Sequence, residues 1–168
     1  MSYLGTEYSP QDYYRFYSKT YINSQADAIK QILDKLTINL TGKAIDLGCG
    51  DGLVSKLLKN RFEFIGVDSS REMIQRYISE TDNEGIVSNF WDPLPKAEVA
   101  IASHSLHLCQ VSRLHEARWR LKESGVKVVI VTSPFKSTGD LLKMKVLNKV
   151  NCKTDKGKTV WGFKLSNN

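Results

Sequence analysis

Apolar residues recur along this chain in two alternating rhythms. Ala26, Ile29, Ile32, Leu33 and Leu36 fall at helical spacing and predict an amphipathic helix over 24–37. "KAIDLG" then reads as a short strand, and Leu53, Val54, Leu57 and Leu58 as a helix. "FEFIGVD" reads as a second strand, followed by a helix on Met73, Ile74, Tyr77 and Ile78 that Ser69 or Ser70 caps. "GIVSNF" is a weaker strand signal and "AEVAIAS" a strong one, with Val111, Leu114, Ala117 and Leu121 giving the next helix. "GVKVVIVTS" is almost continuously β-branched, as a parallel strand buried on both faces is, and it reads as the centre of the sheet. The end, "NKVNCKTDKGKTVWGFKL", predicts two strands joined at Asp155-Lys156-Gly157-Lys158 as an antiparallel hairpin.

Strand and helix in alternation mean an α/β fold, a single doubly wound, mostly parallel sheet with helices on both faces in three layers. At 168 residues and 41% apolar composition the chain is long enough for one sizeable core. The division expected is an N-terminal aromatic segment over 1–23 and one domain over 24–168. Ligands of such sheets bind outside the carboxyl ends of the strands, where the strand order reverses.

Three strand ends carry ligand-type residues. "AIDLGCGDG" leaves the first strand, with Gly48 and Gly50 permitting a tight turn and Gly52 opening the next helix. Asp46, before the glycines, would repel a pyrophosphate and attract an ammonium group, directly or through water. Asp68 ends the second strand, 16 residues after Gly52, where a carboxylate accepts from ribose hydroxyls. After the third strand, Asn89 offers an acceptor to an adenine amino group, and Phe90 or Trp91 can cover the adenine face. A glycine loop that is only a turn, or a Trp91 that is only a core aromatic, stands beside each of these readings.

With D-x-G-x-G-x-G over 46–52, Asp68 and Asn89-Phe90, the chain resembles the class I (Rossmann-like) S-adenosylmethionine-dependent methyltransferases over 24–165. The resemblance implies seven strands in the order 3-2-1-4-5-7-6, the seventh antiparallel, and S-adenosyl-L-methionine as cofactor. It further implies that Asp46, Gly48, Cys49 and Gly50 hold the methionine part, Asp68 and Ser69 the ribose, and Asn89, Phe90 and Trp91 the adenine.

A narrower similarity lies in "SNFWDPLPKAEVAIASHSLHLC", which is similar to the "GDFFDPLP…LHDW" stretch of small-molecule O-methyltransferases, including plant phenolic ones. There the histidine matching His107 is the general base in some members. Here Asn89 stands for their aspartate, and Leu108-Cys109 for Asp-Trp. His107 is thus the base candidate, and Ser103 and His104 are candidates for the cofactor wall. A helix-start imidazole bonded to backbone is the alternative for His107, and no third ligand accompanies the two histidines to suggest a metal. No N-P-P-Y or D-P-P-Y follows the fourth strand and no Pro-Cys the fifth, which argues against chemistry on flipped DNA bases. Tyr13, Tyr17 and Tyr21 repeat every four residues and read as a lid or substrate wall.

Charge adds a partner class. Residues 113–164 hold 13 Lys or Arg against four acidic residues, while the rest holds 11 basic and 14 acidic ones. A basic C-terminal third suits RNA or an acidic protein, although lysines that merely solvate the surface give the same count. Three scattered cysteines, no apolar run long enough to span a bilayer and a polar, tyrosine-rich start point to the cytoplasm. The sequence thus leaves an active methyltransferase on oxygen or nitrogen, its acceptor RNA or protein and a partner subunit conceivable. Beside it stand a non-catalytic binding module of the same fold and a small-molecule O-methyltransferase.

Overall fold

The computed structural model describes residues 19–106, 111–138 and 143–168. Helix α1 (Lys19–Leu36) starts five residues before the predicted position. No proline or glycine interrupts 19–24, so Asn23 and Ser24, which favour helix starts, sit inside it. Its apolar stripe, Ile29, Ile32, Leu33 and Leu36, is buried, and Gly162 leaves room for it, because a Cβ there would collide with Ile32.

Strands β1 (Gly42–Leu47), β2 (Phe62–Asp68), β3 (Glu84–Val87), β4 (Val99–Ser103), β5 (Val128–Ser133), β6 (Lys145–Lys153) and β7 (Thr159–Ser166) form one seven-stranded sheet in the order β3-β2-β1-β4-β5-β7-β6. The first five are parallel; β7 runs antiparallel to both β5 and β6, the predicted hairpin. Between them lie α2 (Leu53–Leu57), α3 (Arg71–Thr81) and α4 (Leu114–Glu123), the last preceded by a 3-10 turn at Val111–Arg113. Ser70, not Ser69, caps α3, its hydroxyl accepting from the Met73 amide at 3.3 Å.

Alternate strand residues feed two apolar layers. Ala44, Phe64, Val99, Ile101, Ile130 and Val160 pack under α1 and α2, while Ile45, Val67, Ala100, Val129, Val131 and Phe163 pack with Leu114 and Leu121 of α4. Coverage on both faces explains the continuous apolar runs. It also explains a correction: β4, not β5, holds the middle of the sheet. β5 has strands on both sides and cover on both faces, so its composition reports burial rather than rank. Among the described residues no helix is long and apolar enough to cross a membrane.

Candidate cofactor and active site

The strand order reverses between β1 and β4, and the loops singled out by sequence start from the carboxyl ends around that point. After β1 the amides of Gly48 and Cys49 both donate to the Val67 carbonyl, at 2.7 and 3.2 Å. The Gly50 amide donates to Asp68 Oδ2 at 3.2 Å and the Gly52 amide to the Cys49 carbonyl at 2.8 Å. Four amides of this loop, those of Gly48, Cys49, Gly50 and Gly52, are therefore consumed by β2 and by the loop itself. The carbonyls of Gly48 and Gly50 accept no backbone hydrogen bond among the described residues. A pyrophosphate needs N–H donors, whereas an ammonium group needs acceptors.

Gly50 has a φ of +51°, and a Cβ added to it would meet nothing within 4 Å, so its backbone borders an open cradle. At Gly48 the opposite holds: a Cβ would collide with Ser105 and lie 3.3 Å from Phe90 Cζ. Ser105 is buried, and its hydroxyl donates to the Leu47 carbonyl at 2.6 Å, closing the floor of the loop. An open cradle with free carbonyls fits the amino-acid end of a nucleoside cofactor and does not fit a dinucleotide phosphate.

Asp68 Oδ1 accepts from the Ser70 amide at 2.9 Å and Oδ2 from Gly50. Burial raises its pKa from the usual carboxylate range, while the amides of Ser70, Gly50 and Ser69 pull it back. A carboxylate has about four acceptor positions, so with three amides around it at least one stays open to a ligand hydroxyl. Ser69 is half-buried beside it and contributes its amide.

Asp46 lies beneath the loop rather than on its surface, with 2% exposure. Its Oδ2 accepts from Ser55 Oγ at 2.8 Å, and that hydroxyl is 2.8 Å from the Tyr77 hydroxyl. With Asp46 ionised, Tyr77 donates to Ser55 and Ser55 to Asp46. Burial pushes the carboxyl up to about 7, against hydrogen bonds from the Ser55 side chain and amide. Burial and the Asp46 charge likewise raise the Tyr77 phenol. Any pull that Asp46 exerts on an ammonium group acts across the loop backbone or through water. Cys49 points the same way, buried with Ile74 and Tyr77, its thiol raised by burial; only its backbone belongs to the loop.

At the end of β3 the backbone folds back on itself. The Asn89 amide nitrogen Nδ2 donates to Asp92 Oδ2 at 2.9 Å, and the Asn89 backbone N–H reaches the same oxygen at 3.0 Å. That fixes the side chain so that its Oδ1 remains as the acceptor. The Asn89 bonds, with Arg113 and Arg120 nearby, hold the Asp92 carboxyl below its ordinary pKa. Phe90 and Trp91 are half-buried against the core; the Arg113 guanidinium stacks 4.4 Å from the Trp91 ring centroid, and Arg120 Nε donates to the Trp91 carbonyl.

At the end of β4, Ser103 Oγ pairs with Thr132 Oγ1 at 2.8 Å, so its hydroxyl is turned to β5. His104 takes a φ of +53°, costly for a non-glycine residue, and its amide donates to the Thr132 carbonyl. That turn brings Ser105 under Gly48. His107 lies outside the described residues, as do Tyr13 and Tyr17; Tyr21 falls in the first turn of α1.

Four contributors were missed by sequence reasoning. Ser105, Ser55 and the Tyr77 hydroxyl carry no local signal, since their partners are 58, 9 and 22 residues away. Asp92 did carry one, because Asn89-Phe90-Trp91-Asp92 has the spacing of a side-chain turn.

Sheet order and the glycine loop after β1 are those of a Rossmann-like α/β enzyme. A family model described as a methyltransferase domain matches residues 16–149, and the chain belongs to that family. It is an S-adenosylmethionine-dependent methyltransferase, with S-adenosyl-L-methionine as cofactor. No curated protein sequence matches the chain.

Solved structures share the fold. The PH0226 protein from Pyrococcus horikoshii OT3 is 16% identical with a TM-score of 0.74, covering 96% of this chain and 99% of that one. N-methyltransferase NodS from Bradyrhizobium japonicum WM9, in complex with S-adenosyl-L-homocysteine, is 8% identical with a TM-score of 0.70 over 91% and 90% of the chains. A chain from the complex between the Haloferax volcanii Trm112 methyltransferase activator and a methyltransferase is 11% identical with a TM-score of 0.71 over 94% and 97%. When bound, the cofactor supplies a sulfonium methyl group for in-line displacement, and the protein supplies alignment and a dry cleft.

Proposed function

We propose that this methyltransferase acts on an oxygen or nitrogen of a macromolecular acceptor, RNA or protein, in a reducing compartment, the cytoplasm. The observation that supports a large acceptor best is the rim beside the cofactor loops. Among the described residues, β4 leads through a 3-10 turn into α4 and β5 through a turn towards β6, without an inserted domain to enclose a small molecule.

In this reading Gly48 and Gly50 receive the ammonium group on their carbonyls, and Asp46 adds negative charge from below. Asp68 orients the ribose, with Ser69 at its edge and Asn89 Oδ1 on the adenine amino group, Phe90 and Trp91 flanking the base. Ser103 and His104 border the methyl position. His107, in the loop after β4, takes the proton of an acceptor that keeps it near neutral pH, as an imidazole of reference pKa near 6.5 can. Tyr13, Tyr17 and Tyr21, in an N-terminal lid segment over 1–23, wall the cleft. Similarity to NodS supports nitrogen beside oxygen as acceptor atom, and similarity to the Trm112-bound chain supports a partner subunit. Free Cys49 and Cys152 suit a reducing compartment.

The test is methyl incorporation from tritiated S-adenosylmethionine into total RNA, protein and small-molecule extract, each fractionated. Label in RNA or protein is expected. Label only in small molecules would overturn the macromolecular reading, and no label in any fraction would point to a non-catalytic binding module.

A further inference from the structure

The rim on the far side of β5 from the cofactor loops is built from aromatic and basic side chains. Ser133, the last residue of β5, pairs with Trp161 on β7, which pairs with Asn151 on β6. Ser103 of β4 pairs with Thr132 of β5, so Trp161 stands at the same end of the sheet as the β4 loop. The turn after β5 is tied down: Ser133 Oγ and Thr138 Oγ1 are 2.7 Å apart, and the Phe135 amide donates to Ser133 Oγ at 3.1 Å. It carries Lys136 and Phe135, whose side chain is 56% exposed.

Lys136 Nζ lies 5.7 Å and Lys149 Nζ 5.2 Å from the Trp161 ring centroid. Trp161 itself is half-buried, braced against the core layer under α4. Residues 143–168 hold seven lysines and one aspartate. Among the described residues none of Lys136, Lys149 and Lys153, the lysines at this end of the sheet, enters an ion pair. Cations gathered without carboxylates repel one another and are relieved by a polyanion.

We propose that this rim is a docking track for single-stranded nucleic acid, with Trp161 as a stacking platform and Lys136 and Lys149 on the phosphates. An acidic peptide would use the lysines alone; a nucleic acid uses the ring as well. The strand must be single, because a base inside a duplex cannot reach a ring set in a sheet rim. The inference rests on the macromolecular-acceptor reading above and selects nucleic acid within it.

Fluorescence anisotropy of the full chain with a labelled oligouridine of about 15 nucleotides, near the upper site size of small single-strand binders, tests it. Binding is expected, with log K falling linearly with log salt. Lys136→Glu/Lys149→Glu changes two exposed side chains and should weaken binding at least about tenfold while lowering the salt slope by roughly 1.4. Trp161→Ala should weaken it by about tenfold with the slope unchanged. S-adenosyl-L-homocysteine binding, measured on each variant, should be unaltered, which shows that the fold and the cofactor site are intact. Absence of oligouridine binding would overturn the inference, as would equal binding by the charge-reversed variant. So would a glutamate-rich peptide binding through the same lysines where the oligonucleotide does not. Absence of S-adenosyl-L-homocysteine binding in the unaltered chain would instead count against the cofactor site.

Discussion

Replacing Asp46 by asparagine separates what the buried carboxylate costs the fold from what it gives the site. Burial lifts its pKa from 3.8 to about 7 in the folded chain. The group thus contributes stability in full below its unfolded pKa and loses it as pH rises through the folded value. Between about pH 5 and 7 each unit removes about 1.4 kcal/mol from the unaltered chain, close to 3 kcal/mol over the window. Asparagine is neutral throughout and keeps the shape. Unfolding by urea without cofactor, at steps from pH 5 to 8, should show the advantage of Asp46→Asn growing by about 3 kcal/mol and then levelling. Asp92 titrates in both chains and its contribution cancels in the difference, whereas Asp68, whose charge adds to the upward shift of Asp46, leaves a smaller residual of its own. The same substitution should weaken S-adenosyl-L-homocysteine binding on the order of tenfold, because a negative charge below the ammonium cradle is gone. A stability difference that stays flat with pH, or a variant less stable at pH 8, would mean that burial does not hold the Asp46 carboxyl protonated into the neutral range.

Tyr77→Phe removes the hydroxyl at the end of the Asp46–Ser55–Tyr77 chain, and urea unfolding should register about 1 kcal/mol of lost stability, with weaker homocysteine binding by calorimetry. Unchanged values for both would remove the chain from the account. At Gly50, alanine meets no protein atom within 4 Å but must hold a φ of +51°, so about 1–2 kcal/mol of stability is expected to go while cofactor binding is abolished. Retained binding would place the cradle elsewhere. Asn89→Asp sets a second carboxylate where Nδ2 now lies 2.9 Å from Asp92. Like charges raise one carboxyl pKa, so stability should be close to that of the unaltered chain at pH 4 and fall by about 1–2 kcal/mol towards pH 8. A thermal melt series over that range checks it.

What could be read in advance follows the range of the interactions. The strands were legible because β1, β4 and β5 are covered on both faces and must be apolar throughout. The glycine loop was legible as a turn because Gly48, Gly50 and Gly52 act within one β–loop–α unit, whereas the contact of Asp68 with the Gly50 amide spans 18 residues. Contacts between distant segments left no local trace: Ser105 reaches back 58 residues to Leu47, and Tyr77 fills the space that Gly66 leaves open, reading along the chain as one more apolar helix position. Asp46 was legible as an acid before the glycines but not as a buried one, because its burial depends on α2 and α3 closing over it. The start of α1 was missed because a cap-like Asn23-Ser24 pair is tolerated inside a helix whose stability comes from packing against β5, β6 and β7.

S-adenosyl-L-methionine is expected on the cradle at Gly48–Gly50 and against the carboxylate of Asp68. Isothermal titration of S-adenosyl-L-homocysteine into the unaltered chain and into Asp68→Ala measures this. At least one charge-assisted hydrogen bond to the ribose, at about 1.5–3 kcal/mol, is lost in the variant, so its affinity should fall on the order of 10- to 100-fold. No heat from the unaltered chain, or equal affinity in the two, would mean that Asp68 does not hold the cofactor.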